Sequence, residues 1–356
     1  MQTVKIRPRT EAALSAPAPA AIDPLRVGTD HASDQTVKAA PRRWPGTLAK
    51  LSVTAVALWL LAGRIDVSGL GSALAAARPG PLLAAFVVYM VGQALSACRW
   101  LVISRKVGFD EGLPRMIRYY LIGMFFNLFG PATLGGDVVR AMYLGAASDR
   151  RVVALNTVVF DRLSGLAMLV ALVVTAMIGF GRFGLPEPLF LLSAAAGVGL
   201  VVVWWFIPPL ARLLLRPDNR LRWLIEQEIG PFWSDRRLLG EVCVLSIVFQ
   251  VWQIFSVWLV VVAAGVDVPW QYCFVFHPLV SILGALPISL AGLGIREFGY
   301  VYFLADVGSV PEETALAFAI LWLAILLASA FVGGLVFVAG GGSMAELRGR
   351  AAAGEQ

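Results

Sequence analysis

The sequence predicts an all-α, polytopic helical membrane protein with about six full spans and two re-entrant hairpins. Three observations predict it. Of 356 residues, 58% are hydrophobic and only 15% charged, and mean hydropathy is +0.77; a soluble domain of this length needs a more polar surface. Six apolar stretches are each long enough to cross about 30 Å of hydrocarbon. Two further apolar regions, 115–147 and 271–303, are broken near their middles by glycine, proline and charge.

Taken in order, residues 1–46 are rich in Ala, Pro and scattered charge without apolar periodicity, and read as a disordered cytoplasmic tail. No short apolar stretch with a small-residue cleavage site opens the chain, so a removable signal peptide is not expected. Full spans fall at about 47–63, 79–103, 152–178, 188–207, 239–264 and 314–340, a membrane domain of 47–340, and 341–356 reads as a short cytoplasmic tail. The arm at 138–147 is too short and polar to span alone. Both broken regions therefore read as hairpins that enter and leave on one side.

Charge supports this topology. Lys5, Arg7, Arg9, Arg26, Lys38, Arg42 and Arg43 precede the first span, and Arg212, Arg216, Arg220, Arg222, Arg236 and Arg237 crowd the 208–238 connection. Basic loops stay cytoplasmic. Both fall inside only if 115–147 returns to its own side. The exterior then holds Arg64, Arg78 and Arg182, with Asp306, Glu312 and Glu313 in a purely acidic 304–313. For 271–303, a hairpin and two short crossings give the same parity, and both stay open here. The net charge of +6 is explained by orientation rather than by nucleic acid.

The two breaks share a pattern. The first holds Asn127, Pro131, Leu134, Gly135, Gly136, Asp137 and Arg140; the second holds Pro287, Leu290, Gly292, Gly294, Arg296 and Glu297. Aligned on their prolines, they share Leu three residues on, Gly five on and Arg nine on. Long span, hairpin, long span occurs twice with opposite orientation, the order of an inverted-repeat transporter; unrelated Gly/Pro breaks in membrane helices are the competing reading.

Broken backbone at membrane depth must be covered or face a watery cavity. Asp137 is placed to cap a helix of 138–147, and Gly292 and Gly294 precede a helix starting near Ile295. Two helix N-termini would then offer amides and a positive dipole end to an anion, with Arg140 and Arg296 in their first turns to grip phosphate bidentately. The structural alternative pairs Arg140 with Asp137, and Arg296 with Glu297, only to hold the hairpins. Asp161 and Arg162 lie about 16 Å deep, eleven residues from Arg150, where an unpaired charge costs at least about 2.5–3.5 kcal/mol; they are expected to line a pathway. Arg99 is expected to snorkel to the interface beside Trp100. Asn127 either lines the site or satisfies broken backbone. His277 reads as a hydrogen-bonding core residue, and Gln250 and Gln253 as interhelical partners.

Enzymatic constellations are not apparent. Cys98, Cys243 and Cys273 are dispersed, suggesting neither disulfides nor zinc, no phosphate loop occurs, and no cofactor is expected. The chain resembles the transmembrane family named after lysylphosphatidylglycerol synthase, the flippase-like proteins. The resemblance rests on Tyr120 to Asn127 leading to Gly135, Gly136, Asp137 and Arg140, then Asp161, Arg162 and Gly165, then Pro287 through Gly292, Gly294, Arg296 and Glu297. It implies a multi-pass protein of the bacterial inner membrane, both termini cytoplasmic, that moves a charged lipid between leaflets. The soluble aminoacyltransferase domain of the aminoacyl-lipid members is not found in this sequence, so the expected partners are an anionic phospholipid, a hopanoid-related lipid or a polyisoprenoid-linked lipid. A membrane-embedded transferase with Asp137 or Glu297 as general base, and a non-transporting scaffold in a lipid or polysaccharide assembly complex, are the competing functions.

Overall fold

A computed structural model describes residues 52, 54–56, 59–60, 63, 66–129, 135–146, 150–180, 187–217, 219, 222, 226, 230–285, 289 and 292–340. Both tails, most of the expected first span at 47–63, the exterior 181–186, and the turns carrying Pro131, Leu134, Pro287 and Leu290 lie outside the described residues. Every regular element described is helical: α1 Val67–Ala75, α2 Pro79–Lys106, α3 Leu113–Phe129, α4 Gly135–Gly145, α5 Arg151–Phe180, α6 Glu187–Leu214, α7 Gly230–Ser234, α8 Arg236–Ala264, α9 Cys273–Ala285, α10 Ile295–Val301 and α11 Glu312–Ala339. Among them α2, α5, α8 and α11 are long and apolar enough to cross a membrane, each matching an expected span. Their ends follow from sequence. Pro79 opens α2, where a missing amide costs nothing. Asp235 caps α8 by accepting from the Arg237 and Leu238 amides, and Gly265 closes it in a left-handed conformation, φ 68°, that favours glycine.

Both broken regions fold back on themselves. In the first, Tyr119 stacks on Tyr143 at 5.4 Å, and Asn127 Oδ1 accepts from the Gly136 amide at 3.0 Å. Contacts that advance along α3 while retreating along α4 define an antiparallel hairpin. In the second, Tyr272 donates to the Phe303 carbonyl at 2.7 Å, His277 meets Tyr300 at 2.9 Å, and Gly284 faces Arg296, again antiparallel. The 13 residues of α9 extend about 20 Å at 1.5 Å per residue, short of about 30 Å of hydrocarbon. Length therefore favours a hairpin over two crossings.

The packing repeats with the sequence. α2 packs on α3 as α8 packs on α9; α3 on α4 as α9 on α10; α4 on α5 as α10 on α11; α2 on α5 as α8 on α11. The exchange also holds between halves, since α3 covers α11 and α9 covers α5. The equivalent helices α2 and α8 pack on each other, and they run antiparallel. The Arg78 amide donates to the Ala263 carbonyl at 2.9 Å, Ser256 to the Ala85 carbonyl at 2.8 Å, Trp252 to the Val88 carbonyl at 2.7 Å and Arg99 to Ser246 at 3.1 Å. That is the relation an inverted repeat requires, so the packing favours the repeat over unrelated breaks.

Close approach sets the first hairpin. A Cβ on Gly136 would lie 1.7 Å from the Gly123 carbonyl oxygen, a backbone clash no rotamer relieves. On Gly135 the nearest atom would be 3.4 Å away, ordinary contact. Gly136→Ala should therefore destabilise by about 3 kcal/mol, the upper range for overpacking, while Gly135→Ala stays near wild type. Thermal unfolding of the two purified variants in detergent tests this; equal melting would show that α3 and α4 do not depend on that contact.

Candidate functional site

Four of the predicted residues meet in one ion-pair chain, with a fifth that sequence reasoning placed elsewhere. Asp161 of α5 accepts from Arg99 Nε at 2.8 Å and from Arg140 Nη2 at 3.1 Å. Asp137 of α4 is gripped by Arg162, through Nη2 to Oδ1 at 2.8 Å and Nε to Oδ2 at 3.0 Å. Arg140 Nε lies 3.2 Å from Asp137 Oδ1 and so joins the two pairs. The order is Arg99, Asp161, Arg140, Asp137, Arg162: three cations to two anions.

Its depth makes this chain costly to leave incomplete. Asp161 is ten residues into α5 from Arg151, about 15 Å, and is 1% exposed. Arg140 is 2% exposed. Its guanidinium lies between two rings, 4.9 Å from the Trp100 centroid and 5.0 Å from that of Tyr120, a desolvated cation–π contact of about 2 kcal/mol. Tyr120 is held in turn by Ser96, 2.8 Å away, and Trp100 donates to Thr157 at 3.0 Å. Arg99 does not snorkel: it is buried and reaches both Asp161 and Ser246. Gly165 makes room for it, since a Cβ there would sit 3.1 Å from Arg99 Nη1. Gln250 donates to the Gly165 carbonyl at 3.1 Å, an interhelical bond of the kind expected. Arg140 Nε and Nη1 are buried without a hydrogen bond, Nε keeping its ion-pair contact with Asp137.

Arg162 is the accessible member, with 53% of its side chain exposed. It lies on a face of α5 where Val152, Leu155, Val159 and Leu163 are also exposed. The same face continues as Leu166, Val170, Val173 and Val174, recurring every three or four residues. There it is sealed by Leu279 and Ile282 of α9. One half of this face is open as far as Arg162; the other is closed by the second hairpin.

Several local expectations change. The helix after the first break starts at Gly135, not beyond Asp137, so Asp137 sits in the first turn and turns its carboxylate to arginines. Asn127 takes the capping role by holding the Gly136 amide. In the second hairpin, α10 starts at Ile295 as expected, after Gly294. Glu297 closes its own first turn: its Oε2 accepts from the Gly294 amide at 2.6 Å. At both breaks an amide of the helix start is held by a side chain, Gly136 by Asn127 and Gly294 by Glu297. Gly292 and Gly294 both have φ near +80°, and Arg296 is seated against Gly284 and Gly292; a Cβ on Gly292 would come within 2.9 Å of its Nη2. His277 is a core residue bonded to Tyr300. No group of three metal-ligating side chains occurs among the described residues.

Removing Asp161 takes the counter-charge from the buried Arg99 and leaves the buried Arg140 only its 3.2 Å contact with Asp137, whereas removing Asp137 strands only the accessible Arg162, because Arg140 keeps its hydrogen bond to Asp161. Asp161→Asn should cost about 3–5 kcal/mol, the range for breaking a buried pair, and Asp137→Asn clearly less. Thermal unfolding of both variants measures the order; a reversed order would contradict the burial described for Arg162.

Residues 47–334 match the family described as "Lysylphosphatidylglycerol synthase TM region". Among curated proteins, the chain is 26% identical over 288 residues to a "UPF0104 membrane protein" of Methanothermobacter thermautotrophicus, covering 72% of this chain and 85% of that protein. It is also 26% identical over 337 residues to "Glycosyltransferase AglD" of Haloferax volcanii, covering 81% of this chain but only 53% of that protein. With the family match spanning most of its length, and with the helices and hairpins in place, the chain belongs to the lysylphosphatidylglycerol synthase transmembrane-region family of integral membrane proteins.

Proposed function

We propose that this protein is a flippase-like lipid transporter of the bacterial plasma membrane, moving an anionic, phosphate-bearing lipid or lipid-linked precursor between leaflets. The observation that carries this reading is Arg162: an arginine with a half-exposed side chain, eleven residues into a spanning helix, on an otherwise apolar open face of α5. A cation at that depth needs a wet cavity or an anionic ligand. The apolar residues along the same face suit lipid tails, which stay in hydrocarbon while the headgroup meets the arginine. Arg140 and Arg296, backed by the residues of both hairpins, supply the surrounding positive field. The cytoplasmic placement of both termini follows from the arginine distribution.

A transferase reading draws on the name of the AglD relative, about half of whose length lies outside the match. It needs a carboxylate within reach of an acceptor. Here Asp137 and Asp161 are held by arginines and Glu297 caps its own helix, so the geometry supports transport better.

The test is leaflet exchange of labelled phosphatidylglycerol in proteoliposomes. Losing a charge-assisted bond to ligand costs about 1.5–3 kcal/mol, so Arg162→Gln should slow exchange about tenfold to a hundredfold. Arg162→Lys should fall between, because lysine keeps charge but lacks the planar fork. Both should retain most of their thermal stability. Exchange equal in wild type, both variants and protein-free vesicles would overturn transport of this lipid.

A further inference from the structure

The ion-pair chain holds an imbalance and an apparent defect, and one event resolves both. The imbalance is its single excess positive charge, three arginines against two aspartates. The defect is Arg140: fully buried, with Nε in ion-pair contact with Asp137 but in no hydrogen bond. The nearby carboxylate, Asp137, lies 3.2 Å from Nε but accepts its hydrogen bonds from Arg162. Arg162 is the member that a ligand can reach.

We propose that the site takes a monoanionic phosphodiester, and that Asp137 registers its arrival by moving from Arg162 to Arg140. This rests on Arg162 as the headgroup ligand. A phosphodiester offers two oxygens carrying one negative charge, which fit the guanidinium fork that Asp137 now occupies. As they engage Arg162, they displace the Asp137 carboxylate. Arg140 Nε, already within 3.2 Å, receives it. The carboxylate is never left bare in a low-dielectric interior, where an uncompensated charge would oppose entry. No covalent bond changes and no proton moves. The occupied centre holds three cations and three anions, so a single charge completes it. Because Asp137 lies in the first turn of α4 and Arg162 on α5, the hand-over releases a tie between the re-entrant arm and the spanning helix. Asp137 is thus a positioning residue rather than a ligand contact.

The experiment measures lipid binding and leaflet exchange with the full chain, using phosphatidylglycerol as the diester probe. Phosphatidylcholine is the zwitterionic control and dimethyl phosphate the soluble diester. Wild type should bind phosphatidylglycerol in preference to phosphatidylcholine. Asp137→Asn removes the competitor for Arg162, so phosphatidylglycerol binding should tighten several-fold while exchange slows. Weaker binding in Asp137→Asn, or binding and exchange both at wild-type values, would overturn the hand-over. Arg162→Gln separates the two ideas: if it binds phosphatidylglycerol like wild type, the underlying site reading fails; if it loses binding while Asp137→Asn is unchanged, only the hand-over fails. Dimethyl phosphate competing as strongly as the lipid would overturn a lipid source for the anion. Should Asp137→Asn not fold, a wild-type structure with phosphatidylglycerol decides: Asp137 hydrogen-bonded to Arg140 Nε is expected, and Asp137 still bidentate to Arg162 beside a bound phosphate overturns the proposal.

Discussion

A charge half-way through hydrocarbon must carry its counter-charge with it, and much of this architecture follows from that constraint. Asp161 lies too deep for water to solvate it and too fully covered to be hydrated from the side. Its two arginines come from different helices, Arg99 on α2 and Arg140 on α4. Supplying both requires α4 to reach bilayer depth without crossing, which is what a re-entrant arm does. The arm reaches there only because Gly136 lets it touch the backbone of α3 at Gly123. On the other flank, Gly165 lets α5 accept the Arg99 guanidinium, and Ser246 of α8 accepts from its Nη1. The chain of ion pairs thus pins the first hairpin, both long helices of the first repeat and one helix of the second.

This coupling explains what was legible in the sequence and what was not. Spans are legible because hydrocarbon thickness imposes length and hydropathy on consecutive residues. The first hairpin is legible because loop charge counts parity, and Arg212 to Arg237 demand an even number of crossings before them. Asp161 and Arg162 are legible by depth alone. Arg99 is not. An arginine two turns from a helix end looks the same whether it snorkels or turns inward, and its partner stands 62 residues away. Local chemistry at the breaks was half legible: a polar residue was needed near each helix start, but Asn127 and Asp137 were both candidates at the first. Geometry assigned the cap to Asn127, which left Asp137 for the arginines. At the second break the Glu297 carboxylate closed its own first turn at the Gly294 amide.

The two repeats are alike in packing but unequal in state, and that inequality bears on how such a fold works. Shifting by the spacing that aligns Arg140 with Arg296 places Val159, Arg162 and Leu163 of α5 opposite Ala315, Phe318 and Ala319 of α11. The α5 residues are exposed, whereas their α11 counterparts are buried. The hairpin covering α11 is α3, and the hairpin covering α5 is α9; α9 seals only the far half of its helix. Two units with the same contacts but different coverage are two conformations of one motif held in a single chain. In an inverted repeat, exchanging those conformations moves the opening from one membrane face to the other without a new fold. Under the proposed function, the arginines stay near the midplane while the hairpins trade coverage. The Asp137 hand-over would then act at the right place, because it loosens α4 from α5 only when an anion has taken the carboxylate's position. Ligand arrival and loss of a restraint become the same event, so the energy for rearrangement comes from binding one lipid charge in a centre built one anion short.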